Sequence, residues 1–457
     1  MLLAERLANY ASGLRFEQLD QSTVHEVQRR MIDSLACALG AYRADAPSIA
    51  RRLAATVTGD PGAKYLGGGE HRTSPELAAF VNGVLFRYLD YNDTYLSLEP
   101  AHPSDNLAAI LAAAQVSGAS GKDAITAVVI AYEIQCRLCD AASIRARGWD
   151  HVTYGDFSAG AAVGRLFGLE PEKITHALNL AAAPNITLRQ TRAGELSHWK
   201  GCAFANASRN AVFAARLAAE GLTGPAPIFE GEMGFFKQVS GEFDLPPLAG
   251  ESEANTDGFM INKTSIKFWP AEYHSQSAIH AALELRPQIP DLAAIENIEI
   301  ESFDAAVDII GKDPEKWRPQ TRETADHSLP YCTAVALKDG DVSLASFDQA
   351  RLHDEDLLEL VARVEIHRDD DLTARYPKGI PNRITVTMND GSTLMAENEF
   401  PRGHDQNPMS DREITEKFNR LAEGVLEPSQ AEAILDICWN LEKQESLDGL
   451  FAEFPKA

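Results

Sequence analysis

Five short stretches of the chain concentrate side chains that move protons and hold anions. The first, Leu89-Asp90-Tyr91-Asn92-Asp93-Thr94-Tyr95, runs on to Ala101-His102-Pro103-Ser104, and the second is Asp150-His151-Val152-Thr153-Tyr154. The third extends from Leu188-Arg189-Gln190-Thr191-Arg192 to Trp199-Lys200-Gly201. The fourth is Ser265-Ile266-Lys267 through Glu272-Tyr273-His274-Ser275, and the fifth is Asp326-His327-Ser328-Leu329-Pro330-Tyr331. Histidine titrates near neutral pH and aspartate can orient it or act itself, so these types suit general acid–base work. Lys200 stands just before an Ala-rich helical pattern, where a cation opposes the helix dipole yet helps to hold an anion. Each stretch also has a plainer reading. Asp, Asn, Pro and Ser dominate ordinary turns, His151 and Tyr154 could be loop residues, and Asp326 or Ser328 could simply cap a helix. The functional reading rests on their joint chemistry.

Charge narrows that chemistry. With 42 Lys+Arg against 67 Asp+Glu, the net charge of −25 repels nucleic acid and anionic membranes, and no basic run reverses it locally. An anionic small substrate then requires named cations, which Lys200, Lys267 and a protonated His274 supply. The most apolar stretch, Ile125–Tyr132, is far short of the ~20 residues that span a bilayer. The N-terminal residues, with Glu5 and Arg6, lack the pattern of a signal peptide. A cytoplasmic protein with six reduced cysteines is expected.

Cofactor signals are weak. Gly67-Gly68-Gly69 lacks the spacing of a dinucleotide loop, and Gly118-Ala119-Ser120-Gly121-Lys122 is followed by Asp123 where a phosphate loop has Ser or Thr. Both read as turns. Cys136-Arg137-Leu138-Cys139 lies inside a continuous helical pattern, where cysteine is often a small buried hydrophobe, and no third thiol has ligand-like spacing.

These stretches must be held by elements of two kinds. To about residue 245 the pattern is helical. Val24, Val27, Met31, Leu35 and Ala38 form one stripe after a cap at Ser22 or Thr23, and Ala-rich helices follow at 106–116, 122–144, 172–183 and 204–220. Alternation then takes over: Ile298–Glu301, Val364–Ile366 and Ile384–Met388 read as strands, with Asp390-Gly391 as a hairpin turn. The expected fold is mainly α. An all-helical domain of residues 1–245 and 401–457 joins a smaller α+β domain of residues 246–400.

Taken together, Asp90–Thr94, His102-Pro103-Ser104, Leu188–Arg192, Trp199-Lys200-Gly201, Ala271–Gln276 and Asp326–Tyr331 resemble the motifs of the MmgE/PrpD family, in family order and over nearly the whole chain. The family includes 2-methylcitrate dehydratase, cis-aconitate decarboxylase and iminodisuccinate epimerase, and the resemblance is closest to the first. It implies a helical domain with an α+β lid, a homodimer, and catalysis with no metal, cluster or other cofactor. It also implies a small polycarboxylate substrate, with neither nucleic acid nor membrane as partner. The family's site positions fall on Asp90, Thr94, His102, His151, Lys200, His274 and Tyr331; Lys267 joins them by charge and by its nearness to His274.

For a hydro-lyase on 2-methylcitrate or a related tricarboxylate such as citrate, a base removes a carbon-bound proton while cations absorb the charge of an enolate-like transition state. On this expectation Asp90, His102, His151 and Tyr331 are catalytic, with His102 as base, Asp90 orienting it, and Tyr331 or His151 protonating the leaving hydroxyl. Thr94, Lys200, Lys267 and His274 bind substrate carboxylates. The same residues suit decarboxylation or epimerisation, which share the carbanion. An inactive helical binding protein is the alternative of another class.

Overall fold

The computed structural model describes residues 1–194, 196–252 and 258–456. The chain is mainly α with a smaller α+β part, and it divides into two compact units. The larger holds residues 1–194, 198–264 and 410–457, and the smaller holds 195–197 and 265–409.

The larger unit is built from α1 (Leu3–Gly13), α2 (Gln21–Gly40), α3 (Asp45–Ala54), α4 (Pro75–Arg87), α5 (Leu107–Ser117), α6 (Gly121–Ala141), α7 (Gly155–Leu166), α8 (Pro171–Ala182) and α9 (Ala203–Ala219). Helices Asp411–Ala422 and Pro428–Trp439 pack on α2. The α2 stripe from Val24 to Ala38 is buried, but the helix starts earlier than the sequence suggests. The carboxylate of Asp20 accepts the Thr23 amide at 2.7 Å, so Asp20 is the cap. α4 opens with Ser74 capping and Pro75 in the first turn, where its missing N–H costs nothing. α6 opens on a reciprocal Ser120–Asp123 box, which accounts for the Gly118–Lys122 stretch without a ligand. Gly121 is required there, because a Cβ would lie 1.7 Å from the Leu441 carbonyl oxygen.

α9 packs on α4, α7 and α8, and its contact with α4 brings two stretches of the candidate site together. The helices meet at Gly83, where a Cβ would sit 2.8 Å from Ala205 Cα and 3.4 Å from Ala108 Cβ. Small residues allow this approach. The unit is not wholly helical: Ala63–Lys64 pairs antiparallel with Arg72–Thr73 around the Gly67–Gly69 loop. Residues 246–252 and 258–264 also fall in this unit, although the composition shift near 245 points to the other. The Glu133 carboxylate on α6 accepts the amides of Ala249 and Met260, both at 2.8 Å, and Arg30 bonds Thr264. Among the described residues no helix is long and apolar enough to cross a membrane.

In the smaller unit, β1 (Ile295–Ser302), β2 (Val364–Arg368), β3 (Asn382–Met388) and β4 (Thr393–Asn398) form a sheet in the order β2-β1-β3-β4. β1 and β2 run parallel, with Ile298 opposite Val364, and the other pairs are antiparallel, with Ile300 opposite Ile384 and Val386 opposite Leu394. Ile298, Ile300, Ile384 and Val386 are buried together on one face, as period-two alternation requires. Gly391 closes the β3–β4 hairpin at φ +82°. α10 (Gln276–Leu285) covers β3 and β4 and packs on helix Leu329–Asp339.

The close approach at Gly83 yields a test. Gly83→Ala should destabilise the protein by about 1–3 kcal/mol through overpacking, read as a lower urea midpoint at unchanged slope.

Candidate active site

α4 ends at Arg87, and the chain then turns through Asp90, whose φ of +51° is left-handed. Among the described residues it is the one non-glycine with positive φ. Aspartate tolerates this conformation better than most residues, yet it costs on the order of 1–3 kcal/mol and persists where neighbours enforce it. Its carboxylate faces two cations. Arg87 Nη1 bonds Oδ1, and Lys200 Nζ lies 3.2 Å from Oδ2. All three are buried, where an unpaired charge would be costly.

Asp93 organises the next stretch. Its carboxylate accepts the Ser104 amide at 3.0 Å, the Ser104 hydroxyl at 2.6 Å and the Tyr132 hydroxyl at 2.7 Å, with Arg30 3.8 Å away. Burial pushes its acidity down, raising its pKa in spite of Arg30 and these donors. The Asp93 carbonyl oxygen meets His102 Nδ1 at 2.7 Å. A carbonyl only accepts, so Nδ1 carries the proton and Nε2 of the neutral ring carries the lone pair. The group that orients His102 in this way is the backbone of Asp93, where the sequence suggested the Asp90 carboxylate. Thr94 is buried, and its hydroxyl reaches the Ala101 carbonyl at 3.3 Å.

His151 stacks edge-on to His102, with ring centroids 5.7 Å apart. Its Nδ1 lies 3.2 Å from Asp150 Oδ1, while Nε2 is buried with no hydrogen-bond partner among the described residues. Burial, followed by the positive charges of Arg192, Arg87 and Arg189, outweighs Asp150 and lowers the His151 pKa to about 3. His151 is therefore neutral at pH 7, with its proton on Nδ1 beside Asp150 and none on Nε2 to give to a leaving group. Asp150 resists burial because Arg192, with Nε at 2.8 Å, and the Val152 amide, at 3.2 Å, hold its pKa below the usual carboxylate value. Asp105 differs: burial dominates, Arg87 Nε is 3.6 Å away, and its pKa is raised to about 7.

The larger unit thus brings together Asp90, Thr94, His102, His151 and Lys200. Arg87, Asp105, Asp150 and Arg192 accompany them, and residue type assigned none of these four a role. Asp150 and Arg192 lie inside stretches that the sequence singled out, and Arg87 and Asp105 lie within two residues of one, so the signal was adjacency.

The smaller unit holds the other three. Lys267 is buried beside a charged group in which Glu272 Oε1 meets His274 Nδ1 at 2.7 Å and Glu272 Oε2 accepts the His274 amide at 2.8 Å. Burial opposes ionisation of Glu272, but His274, His327 and Lys267 outweigh it and hold the pKa at about 2. His274 Nε2 is buried without a partner among the described residues. Tyr331 is fully buried on helix Leu329–Asp339, where its hydroxyl donates to the Ser346 carbonyl at 2.8 Å and burial raises its pKa. That bond engages the hydroxyl proton expected for the leaving group.

Among the described residues no three His, Cys, Asp or Glu side chains gather as a metal-holding group. Cys136 and Cys139 are buried on α6, where burial raises both thiols well above their usual pKa.

The MmgE/PrpD N-terminal domain matches residues 5–248, and the MmgE/PrpD C-terminal domain matches residues 269–443. The chain belongs to the MmgE/PrpD family. Relatives of this MmgE/PrpD protein include the 2-methylcitrate dehydratase of Escherichia coli strain K12, 31% identical over 82% of this chain and 80% of that protein. The 2-methylcitrate dehydratase of Cupriavidus necator is 30% identical over 89% and 87%. An alkylcitrate dehydratase of a fungal species is 30% identical over 88% and 84%.

The depressed pKa of His151 makes stability of this MmgE/PrpD chain pH-dependent. The unfolded chain binds this proton at 6.5 and the folded chain only near 3, so His151 contributes nothing unfavourable above pH 6.5 and costs stability as the pH falls toward 3. Between pH 7.5 and pH 5, wild type should lose about 2 kcal/mol more than His151→Gln in urea unfolding. Equal losses in the two proteins would refute a neutral buried His151.

Proposed function

We propose that this chain is a dehydratase of 2-methylcitrate or a related tricarboxylate, working as a hydro-lyase. The carrying observation is the His102–Asp93 hydrogen bond, which fixes the His102 proton on Nδ1 in a region furnished with Arg87, Arg192 and Lys200. The names of the relatives support the same reading.

In this reading His102 Nε2 takes the proton from the carbon beside a substrate carboxylate. The electron pair moves into that carboxylate, and Lys200 stabilises the enediolate that develops. The pair then returns to form the carbon–carbon double bond as the neighbouring C–O bond breaks. The departing hydroxyl takes a proton and leaves as water; the imidazolium formed at His102 is the acid assigned to this step, because His151 is held neutral. The buried Nε2 of His151 needs a donor, and the substrate hydroxyl is one of the right kind. Thr94 retains its assignment as a ligand of a substrate carboxylate.

NMR of products from 2-methylcitrate, citrate, cis-aconitate and iminodisuccinate, each given separately to EDTA-treated protein, tests the reaction class. An enoate formed from a hydroxy acid is expected. Itaconate or an inverted amino-acid product would overturn dehydration. His102→Gln should lower kcat on the order of 10²–10⁴-fold with a small change in KM, and Lys200→Met should raise KM as well. Full turnover by His102→Gln would remove His102 as the base.

A further inference from the structure

The segment that carries Asp90 is gripped from a distant part of the sequence. Lys417, on helix Asp411–Ala422, donates from Nζ to the Tyr91 carbonyl at 2.8 Å and lies 3.6 Å from the centre of the Tyr91 ring. Its charge is paired with Asp33 Oδ1 on α2 at 2.6 Å, and Arg420 donates to the Tyr91 hydroxyl at 2.7 Å. Lys417, Asp33 and Tyr91 are each at most 2% exposed. On the far side of the same turn, Asn92 donates to the Ser104 hydroxyl at 2.9 Å and to Asp105 at 2.8 Å.

A buried ammonium–carboxylate pair is a poor way to gain stability, since an apolar pair of the same size often does as well. Here the ammonium is directed at one backbone carbonyl, next to a residue held at φ +51°. The Tyr91 carbonyl lies one residue beyond the Asp90–Tyr91 peptide, so holding that carbonyl together with the Tyr91 ring immobilises Tyr91 and limits how far the preceding Asp90 can leave its left-handed conformation. Arg420 fixes the other end of the Tyr91 side chain. Asp33 keeps the ammonium charged against its burial.

We propose that Lys417 is a positioning residue for the candidate active site, holding the Tyr91 carbonyl so that the Asp90 carboxylate stays against Arg87 and Lys200. It acts through the backbone and touches no reacting atom. Its activity readout rests on the dehydratase reading above, and its structural readout does not.

The test compares wild type with Lys417→Arg and with the double variant Asp33→Asn/Lys417→Met, which removes both charges and leaves no buried ion unpaired. Amide hydrogen exchange should accelerate across residues 89–94 in the double variant while α6 exchanges as in wild type. Its kcat for 2-methylcitrate should fall on the order of 10²-fold with KM changed less than about threefold, as a small misplacement of a catalytic group demands. Lys417→Arg keeps a charged donor and should recover a tenth or more of wild-type kcat, roughly one decade below wild type at worst. Wild-type exchange at residues 89–94 in a folded double variant would overturn the proposal. So would a kcat loss matched by a lower fraction of ligand-binding sites, which marks global unfolding. If the double variant does not fold, Lys417→Met alone decides on the same exchange readout: protection lost at residues 89–94 with α6 unchanged supports the proposal, and wild-type protection there overturns it. Absence of 2-methylcitrate turnover by wild type would refute the dehydratase reading alone, because exchange would still decide this one.

Discussion

The arrangement of the larger unit depends on one buried carboxylate held between two cations. Asp90 sits on a left-handed turn between Arg87 and Lys200, and its burial is tolerable only while both remain in place. Arg87 comes from the last turn of α4, while Lys200 comes from the turn just before α9. The two helices must therefore approach closely, and glycine makes this possible twice. Gly83 admits Ala205 of α9, and Gly201 admits Tyr88, whose Cα would stand 3.1 Å from a Cβ there. Packing and electrostatics thus constrain the same few residues.

The neighbouring acids are driven to different states by how many cations and donors each receives. Asp150 has Arg192 at 2.8 Å and accepts the Val152 amide at 3.2 Å, so it stays ionised in spite of burial. Asp105 has Arg87 only at 3.6 Å, and burial carries its pKa to about 7. Neighbouring carboxylates with separated pKa values are the usual means by which one fold assigns acid and base roles. The histidines follow a related rule. His102 is oriented by a backbone carbonyl and His151 lies beside a carboxylate; in both, the Nδ1 side is engaged.

Periodicity made the helices legible, because their buried stripes are set by local spacing: Val24, Val27, Met31 and Leu35 all face the core as read. The strands at 298, 364 and 384 were legible for the same reason, and Asp390-Gly391 marked its hairpin. The order β2-β1-β3-β4 was not, since pairing is decided by contacts far apart in sequence. Residues 246–252 and 258–264 were misplaced because Glu133, more than a hundred positions earlier, supplies the acceptor for their amides. Within the site, residue type pointed to His102 and Lys200. It did not reveal that a main-chain oxygen sets the His102 tautomer, or that burial, aided by three arginines, holds His151 neutral, because both effects arise from folding.

A protein of net charge −25 that carries a locally cationic region presents two fields to a polyanion. At long range the overall charge repels, and salt screens this beyond about 8 Å at physiological ionic strength. At short range Lys200, Arg87, Arg189 and Arg192 attract, but resident acids already face three of them: Asp90 faces Lys200 and Arg87, and Asp150 faces Arg192. On the proposed dehydratase reading, an incoming carboxylate competes with Asp90 and Asp150 for the same donors, and what it gains is a difference between two ion pairs. That difference favours a small ligand presenting several carboxylates at once over a single anion, since each added group exchanges against a separate resident pair. It also limits how tightly a charged product is held, because the resident acids are positioned to reclaim their cations when it leaves.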